Sequence, residues 1–176
     1  MTALTTTLTT PDGPFSVVVD DESVLAAGWT ADVASLVALI HPTLRPAEVQ
    51  VPGEAAAPSG SLATAMLSDA AKAVEAYYAG DLAAPGRVPV RQASGPYRTH
   101  AWDVLRTVEP GERITYSEYA ERTGRPAAVR AAAGACAMNA AALFVPCHRI
   151  LRTDGTLGGF RYGLPVKESL LARELT

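Results

Sequence analysis

Residues 115–139 read TYSEYAERTGRPAAVRAAAGACAMN, and their pattern determines the architecture of much of the chain. They begin with the T-x-x-E spacing of a capping box at Thr115, in which hydroxyl and carboxylate satisfy the free N–H groups of a helix start. The first helix should be short and end at Gly124. Pro126 then favours a second helix over residues 126–138, because proline is tolerated in a first helical turn. Two helices joined by a tight glycine turn predict a helix-turn-helix.

The second predicted helix consists mostly of alanine and glycine. Composition alone favours a helix that packs tightly in a core. Arg130 does not fit that interpretation, since an arginine without a partner is costly to bury. The alternative is a helix seated in a DNA minor groove, which is about 6 Å wide and admits only a close backbone approach. In that case Arg130 and the small residues Ala131 and Gly134 would contact DNA.

The first half of the chain predicts a small β-sheet with helices. Residues 15–19 and 24–29 are rich in β-branched and aromatic residues and flank a turn, which predicts a β-hairpin. Apolar residues at helical spacing predict helices over residues 32–40 and 61–79. The proline-rich residues 42–58 are expected to form an extended loop.

A segment rich in proline and glycine, residues 82–92, predicts a linker with one edge strand at residues 87–91. We therefore expect an α/β N-terminal domain over residues 1–90, with its linker starting near residue 82. Residues 91–176 should form a mostly α C-terminal domain that contains the helix-turn-helix and is winged-helix-like. A helix over residues 96–108 would open that domain.

The two halves differ in charge. Residues 1–90 hold ten acidic and three basic side chains, whereas residues 91–176 hold eight acidic and twelve basic ones, eleven of them arginine. Arginine recognises phosphate through its planar fork, so the second half has the charge of a surface that binds a polyanion. A dipolar surface without any partner explains the same numbers equally well.

Composition excludes several classes of protein. A chain of 176 residues that is 48% hydrophobic suits a packed core, and no apolar stretch approaches the roughly 20 residues that span a bilayer. The N-terminus lacks the basic start and apolar middle of a secretory signal, so we expect a cytoplasmic protein with no membrane partner. Two cysteines and three histidines lack the spacing of a zinc site, and neither a metal nor a cofactor is expected.

The segment LFVPCHRIL, residues 143–151, places Cys147 and His148 side by side between apolar residues. The adjacency alone is weak, since a buried cysteine is a small hydrophobe and strand neighbours face opposite ways. Pro146 disturbs the strand, so a turn can direct both side chains towards one pocket. A histidine beside a cysteine, itself oriented by a carboxylate, is the arrangement that generates a thiolate. Cys136 has no neighbouring base and is expected to be an inert structural thiol.

Three features surround this segment. Asn139 is the only asparagine of the chain, and it is either a specific contact or a simple helix C-terminal cap. The glycine-rich residues 155–163 lack the Lys-Ser/Thr ending of a P-loop and predict a pocket wall. Glu174 lies in the last predicted helix, residues 165–175, where it either takes part in the site or faces solvent.

Together these motifs resemble the O6-alkylguanine-DNA alkyltransferases, also called methylated-DNA–protein-cysteine methyltransferases. The resemblance rests on VPCHRI at residues 145–150, on Asn139 before it, and on GGFRYG and KESLLARE after it. It extends back through Arg130 and Tyr116 to about Tyr97 and covers nearly half of the chain. The first half is similar in length to the variable N-terminal domain of that family, and it has none of the zinc ligands that some relatives carry.

The resemblance implies a role for each residue at the centre of the site. Cys147 would accept the alkyl group from guanine O6, activated through a water by His148, which Glu174 would orient. Asn139 would shape the turn after the DNA-reading helix and hold the pocket backbone. Tyr116 would lie at the base pocket against the DNA and offer its hydroxyl proton to guanine N3.

The resemblance also implies a substrate pocket. The carbonyls of Val145 and Cys147 would accept hydrogen bonds from the guanine amino group. Phe160 would line the pocket, and the backbone N–H of Arg161 would approach O6. Arg130 would fill the gap that a flipped-out nucleotide leaves in the base stack.

These roles predict direct DNA repair, in which the alkyl (methyl) group of O6-alkylguanine in duplex DNA moves irreversibly to Cys147. A thioether has no tendency to leave in water, so each molecule should act once and the kinetics should be stoichiometric. Binding is expected to depend on salt and to show weak sequence preference. A monomer is expected, while cooperative assembly on DNA, the preferred alkyl size and activity on O4-alkylthymine stay open.

Two other functions are alternatives. The first is a protein that recognises alkyl damage without transfer, or a helix-turn-helix DNA-binding protein, although such family relatives lack the acceptor that Cys147 supplies here. The second is a cysteine hydrolase that uses Cys147, His148 and Glu174. A hydrolase would leave Arg130 on its helix of small residues unexplained.

Overall fold

A computed structural model of the chain describes residues 1–53 and 60–175. The end of the predicted extended loop, residues 54–58, lies outside the described residues. The first half contains β1 (Thr2–Thr10), β2 (Gly13–Val19), β3 (Val24–Gly28), α1 (Val33–Leu39), β4 (Glu48–Gln50) and α2 (Leu62–Tyr78). The strands lie in the order β3-β2-β1-β4, with β4 parallel to β1 and the other pairs antiparallel. The predicted hairpin and both predicted helices are confirmed.

Two strands of this sheet were not predicted. The prediction of a loop is wrong at β4, which pairs with the start of β1 from Thr2 to Leu4. β1 itself is rich in threonine, a β-branched residue, but its side chains are mostly polar and give no clear apolar alternation. Both strands are formed by pairing with residues distant in sequence, which a local pattern does not show.

Helices cover both faces of the sheet. Val17 and Val19 of β2 pack in the core that contains α2, whereas Val18 between them packs in a second core against α1. This alternation follows from the period of two along a strand. Side-chain caps start both helices, with Asp32 accepting from the backbone of α1 and Ser61 from that of α2.

The second half is mostly helical, as predicted. A first 3-10 helix (Ala84–Arg87) lies before the second half, in the predicted linker. The elements of the second half are α3 (Pro96–Leu105), β5 (Ile114–Thr115), α4 (Tyr116–Arg122), α5 (Val129–Ala137), a second 3-10 helix (Cys147–Arg149), β6 (Ile150–Leu151) and α6 (Leu164–Arg173). The capping box is confirmed, since Thr115 Oγ1 accepts from Glu118 N and Glu118 Oε2 accepts from Thr115 N. Gly124, with φ of +86°, turns the chain between α4 and α5, so the helix-turn-helix is confirmed.

Several boundaries differ from the predictions. α5 starts at Val129 rather than Pro126, because Pro126 lies in a turn that is closed by a hydrogen bond from Ala128 N to Arg125 O. The edge strand over residues 87–91 is wrong: within the described residues this segment contributes one parallel bridge, between Val24 and Val90.

The two halves pack together at the edge of β3. Ala27 N donates to Ala140 O at 2.8 Å, and Ala142 N donates to Ala27 O at 3.0 Å. One apolar core contains buried residues from α2, α3, α4 and α5. The segment after α5, which leads to Cys147, is therefore held by the N-terminal sheet. The domain boundary near residue 90 stays a prediction.

Candidate active site

A pocket of about 320 Å³ opens beside the C-terminal half of α5. Its volume lies in the range of pockets that bind small molecules. The pocket is lined by Tyr116, Ala133, Cys136, Ala137, Asn139, Ala142, Cys147, Gly159, Phe160, Arg161 and Tyr162. Five of the residues singled out from the sequence thus meet in one place: Tyr116, Asn139, Cys147, Phe160 and Arg161.

Cys147 lies in the pocket at the first position of the second 3-10 helix. Its Sγ accepts a hydrogen bond from Asn139 Nδ2 at 3.3 Å. Burial raises the pKa of the Cys147 thiol, and the Asn139 hydrogen bond and the charge of Lys167 only partly oppose that rise. The resting side chain is therefore a thiol rather than the thiolate that its position beside His148 suggested, and its chemistry requires a base.

Asn139 fastens the turn between α5 and the 3-10 helix. Its Nδ2 also donates to Val145 O at 2.8 Å, while its Oδ1 accepts from Ala141 N and from Gln92 Nε2. Leu143, inside the same turn, has φ of +72°, a left-handed conformation that is uncommon for residues other than glycine. Asn139 follows the α5 C-cap, and its side chain does more than end a helix.

His148 does not line the pocket. Its imidazole is fully buried, and Nε2 lies 2.7 Å from Glu174 Oε1. Burial lowers the pKa of His148, and Glu174 opposes this only in part, so the ring is neutral at pH 7. Because the carboxylate accepts the proton of Nε2, Nδ1 is left as an acceptor, and this buried atom has no hydrogen-bond partner among residues 1–53 and 60–175. Neutral His148 can therefore act as a base at Nδ1.

Glu174 is the C-cap of α6, and only 5% of its surface is exposed, so it does not face solvent. Besides His148, it accepts from Arg149 Nε at Oε2 (3.0 Å), from Arg149 Nη2 at Oε1 (3.0 Å) and from the Tyr77 hydroxyl at Oε1 (2.9 Å). Burial by itself would raise the pKa of Glu174, but His148 and Arg149 outweigh it and lower the pKa to about 2. The carboxylate is therefore ionised at neutral pH.

The pocket wall at Phe160 and Tyr162 rests on the end of β3. The Trp29 ring centroid lies 5.9 Å from that of Phe160 and 5.6 Å from that of Tyr162. A Cβ added at Gly28 would lie 2.0 Å from the Tyr162 hydroxyl, so this position leaves no room for a side chain. The N-terminal half therefore holds the pocket wall in place.

Lys167 fastens the same wall from the other side. Its ammonium is buried and donates to Ile150 O at 2.7 Å and to Leu157 O at 2.5 Å. Ile150 directly follows the 3-10 helix of Cys147, and Leu157 lies within the glycine-rich residues 155–163. Lys167 thus fixes the separation between the thiol and the wall.

The small residues of α5 lie both in the core and at the surface, so each of the two interpretations of this helix applies to one of its faces. Ala132 and Ala135 are fully buried against neighbouring helices, as a core helix requires. Arg130 and Ala131 are exposed at its N-terminal end, and Gly134 is half-buried. One face is therefore core, while the opposite face is open to a partner.

Val145 is not brought into the pocket. It is buried, and its carbonyl accepts from Asn139 Nδ2 and from Cys147 N. Both lone pairs of that oxygen are thus in use in this structure. The Arg161 side chain is exposed and donates to Ala137 O, which ties the glycine-rich segment to the end of α5.

Sequence reasoning missed Tyr77, Trp29, Arg149 and Gln92. Arg149 carried a usable signal, because an arginine inside the apolar segment 143–151 has to find a buried partner. Tyr77 is 97 positions from Glu174, and no spacing rule connects them.

No group of three or more His, Cys, Asp or Glu that could hold a metal ion occurs in residues 1–53 and 60–175. Over the same part of the chain, no helix has the length and apolar character needed to span a membrane.

Comparisons with known proteins agree on one family. Residues 96–176 match the family model described as "6-O-methylguanine DNA methyltransferase, DNA binding domain". The chain is 37% identical over 106 residues to a methylated-DNA–protein-cysteine methyltransferase of Methanosarcina acetivorans, which covers 60% of this chain and 67% of that protein. It is 43% identical over 90 residues to the bifunctional transcriptional activator/DNA repair enzyme Ada of Escherichia coli, covering 51% of this chain and 25% of Ada. For Ada and for a methyltransferase of Shigella flexneri, the chain spans 25% and 57% of the relative's length.

Solved structures resemble the whole fold. A variant of the Mycobacterium tuberculosis O6-methylguanine methyltransferase superposes with a TM-score of 0.73 at 25% identity, covering 99% of this chain and 93% of that one. The O6-methylguanine-DNA methyltransferase of Pyrococcus kodakaraensis gives a TM-score of 0.66 at 21% identity, with 98% of each chain covered. The second likeness concerns the fold alone.

Proposed function

The chain belongs to the methylated-DNA–protein-cysteine methyltransferase family, and from this we propose that it repairs DNA by moving the alkyl group of O6-alkylguanine irreversibly onto Cys147. The observation that carries the proposal is the position of the Cys147 thiol. It lies in a pocket lined by residues of the helix-turn-helix, and the next residue, His148, forms a buried pair with Glu174.

The chemistry begins with the Cys147 proton. His148 Nδ1 is a buried acceptor without a partner in the described part of the chain, and a water held there would pass the thiol proton to the imidazole. Glu174 holds the proton on Nε2 and stabilises the imidazolium that forms. Sγ then attacks the alkyl carbon, and the bond from that carbon to O6 breaks with its electron pair left on guanine.

The departing guanine needs a proton, and Tyr116 would supply it. Burial raises the pKa of Tyr116 to about 12, so its hydroxyl is protonated at neutral pH, and from the pocket wall it would donate to guanine N3. Afterwards His148 releases the proton it took from Cys147 and Tyr116 regains one, both by exchange with solvent, so one proton in total has passed from the thiol to guanine. The thioether that remains has no way back, and each molecule acts once.

Access to O6 requires the nucleotide to leave the helix. Flipping costs a few kcal/mol and is easiest for a weakened, damaged pair. The exposed face of α5 would lie in the minor groove, where Ala131 and Gly134 allow a close approach and Arg130 fills the vacated stack. Phe160 would line the pocket, and the backbone N–H of Arg161 would approach O6. The Val145 carbonyl would have to exchange one of its present hydrogen bonds to accept from the guanine amino group.

The test is mass spectrometry after mixing the protein with a duplex oligonucleotide that contains one O6-methylguanine. Trypsin leaves both cysteines on one peptide, residues 131–149, so fragmentation has to assign the added methyl to Cys147 or to Cys136. We expect one methyl on Cys147, saturating at one per protein, and none in Cys147→Ala, which should still bind the duplex.

Two results would overturn the proposal. Binding of the damaged duplex without any gain in mass would favour the alternative of a protein that recognises alkyl damage without transfer. Repeated turnover on activated esters, with Cys147 unmodified at the end, would favour a hydrolase.

A further inference from the structure

Tyr77 connects the N-terminal half to the base of the active site. It lies on α2, its side chain is fully buried, and its hydroxyl donates to Glu174 Oε1 at 2.9 Å. The same oxygen accepts from His148 Nε2 at 2.7 Å and from Arg149 Nη2 at 3.0 Å. Three donors thus share one carboxylate oxygen, and one of them comes from the opposite half of the chain.

Tyr77 can act only as a donor here. Burial raises the pKa of its phenol, and the neighbouring charge of Glu174 raises it further, so the hydroxyl keeps its proton at every working pH. A hydrogen bond to a charged group is stronger than one between neutral groups and restricts where the carboxylate lies. It also disperses part of the negative charge that would otherwise act on His148.

We propose that Tyr77 is a positioning residue for alkyl transfer, which holds the Glu174 carboxylate and limits how strongly that carboxylate favours a protonated His148. The inference rests on the proposed function and adds to it a contribution from the N-terminal half. On this basis, α2 helps to set how basic His148 is.

The groups that face this carboxylate and imidazole come from three elements. They are Tyr77 on α2, His148 and Arg149 in the 3-10 helix, and Lys167 on α6. Arg149 and Lys167 both act against protonation of His148, whereas Glu174 favours it. Removing the Tyr77 hydroxyl leaves both cations in place and strengthens only the attraction from Glu174.

Tyr78 provides the matched control. It is the next residue on α2, and its hydroxyl also makes partly buried polar contacts, donating to Asp12 Oδ2 at 2.7 Å and accepting from Trp29 Nε1 at 2.9 Å. It makes no hydrogen bond to Glu174 or His148. Tyr77→Phe and Tyr78→Phe therefore remove the same atom from neighbouring positions, and only the first touches the triad.

The experiment measures the single-turnover rate of methyl transfer from pH 5 to pH 9 for the full chain and both variants. The rate falls on the acid side when His148 is protonated, so the midpoint of that limb reports the pKa of His148. In Tyr77→Phe we expect the midpoint to rise by about one pH unit and the plateau to fall about tenfold, as for loss of a hydrogen bond to a charged group. In Tyr78→Phe the midpoint should stay where it is.

A second variant protects the test against a loss of folding. 3-Fluorotyrosine at position 77 keeps the ring and the hydroxyl but makes the O–H a stronger donor, so the midpoint should move to lower pH. Opposite shifts from the two changes support the inference. An unchanged midpoint in folded Tyr77→Phe, or shifts of equal size in Tyr77→Phe and Tyr78→Phe, would overturn it. If the unaltered protein transfers no methyl group at all, the proposed function fails instead, and the two failures are distinct.

Discussion

The two halves of the molecule relate to known proteins in different ways. Residues 96–176 match a family model in sequence, and they contain the helix-turn-helix, the thiol, the histidine and the carboxylate. The first half resembles known proteins in its fold: whole structures superpose over 98–99% of the chain, at 21–25% identity. The family model therefore covers the proposed acceptor Cys147, but it does not reach the N-terminal elements that support the pocket.

Those elements make two contacts with the site. Tyr77 donates to the Glu174 carboxylate, and the corner at Gly28 and Trp29 supports the pocket wall. The residues that make these contacts, Tyr77, Gly28 and Trp29, lie far in sequence from the motif that contains Cys147. The first half thus contacts the buried carboxylate through Tyr77 and the pocket wall through Gly28 and Trp29.

The largest effect should come where the halves meet, at Glu174. Glu174→Gln leaves Arg149 buried without its counter-ion, and we expect a loss of about 3–4 kcal/mol in the free energy of unfolding at pH 7. The folded pKa of Glu174, about 2, lies below its ordinary value of 4.5, so its stabilisation is complete above that value and is lost as the pH falls towards 2. Urea unfolding of the unaltered protein and of Glu174→Gln at pH 7 and pH 3 measures the loss at neutral pH and its decrease in acid.

Glu168→Gln is the control, because this glutamate lies on the same helix and is exposed. It should change stability by less than about 0.5 kcal/mol at either pH. If the deficit of Glu174→Gln were as large at pH 3 as at pH 7, the ionised carboxylate would not be what joins the halves.

A smaller loss is expected from the corner of β3. Gly28→Ala would place a methyl group 2.0 Å from the Tyr162 hydroxyl and 2.2 Å from the ring carbon that carries it, so either the strand or the pocket wall has to move. We expect about 2 kcal/mol lower stability and slower transfer, as for an overpacked core. Gly86→Ala, where an added Cβ meets nothing within 4 Å, is the control. Thermal unfolding and single-turnover rates check this.

The pair can be tested directly with a double-mutant cycle. Tyr162→Ala removes the obstructing ring, so Gly28→Ala should cost little further stability on that background. Additive losses would mean that Gly28 acts through something other than Tyr162.

The sequence predicted those parts of the fold that rest on local rules. The capping box at Thr115, the hairpin of β2 and β3 and the helices α1 and α2 depend on residues a few positions apart, and all are present. β4 and the true start of α5 depend on partners elsewhere, and they were missed or misplaced. Local sequence rules do not predict β4, because this strand forms by pairing with β1.

The candidate site shows the same difference between features set by local sequence and features set by distant contacts. The pocket brings together residues from one continuous motif and its flanks, which the sequence signals together. That motif also suggested that Cys147 and His148 share a pocket, whereas the imidazole faces the buried carboxylate. Which way a side chain points depends on the turn at Asn139 and Leu143, and those dihedral angles are set by packing.

The smallest effect should lie on the open face of α5, where the second half acts without the first. Arg130 is exposed, so Arg130→Ala should leave stability unchanged within about 0.5 kcal/mol. If its side chain fills the gap that the flipped nucleotide leaves in the base stack, transfer from duplex O6-methylguanine should slow about tenfold. Transfer from a single strand, where no gap has to be filled, should stay the same.

Arg87→Ala is the control, because it removes an equal charge from an exposed pair with Asp81 in the first half, and it should slow transfer from neither substrate. Equal slowing of duplex and single-stranded substrates by Arg130→Ala would mean that Arg130 binds phosphate rather than replacing a base, because a phosphate contact serves both forms alike.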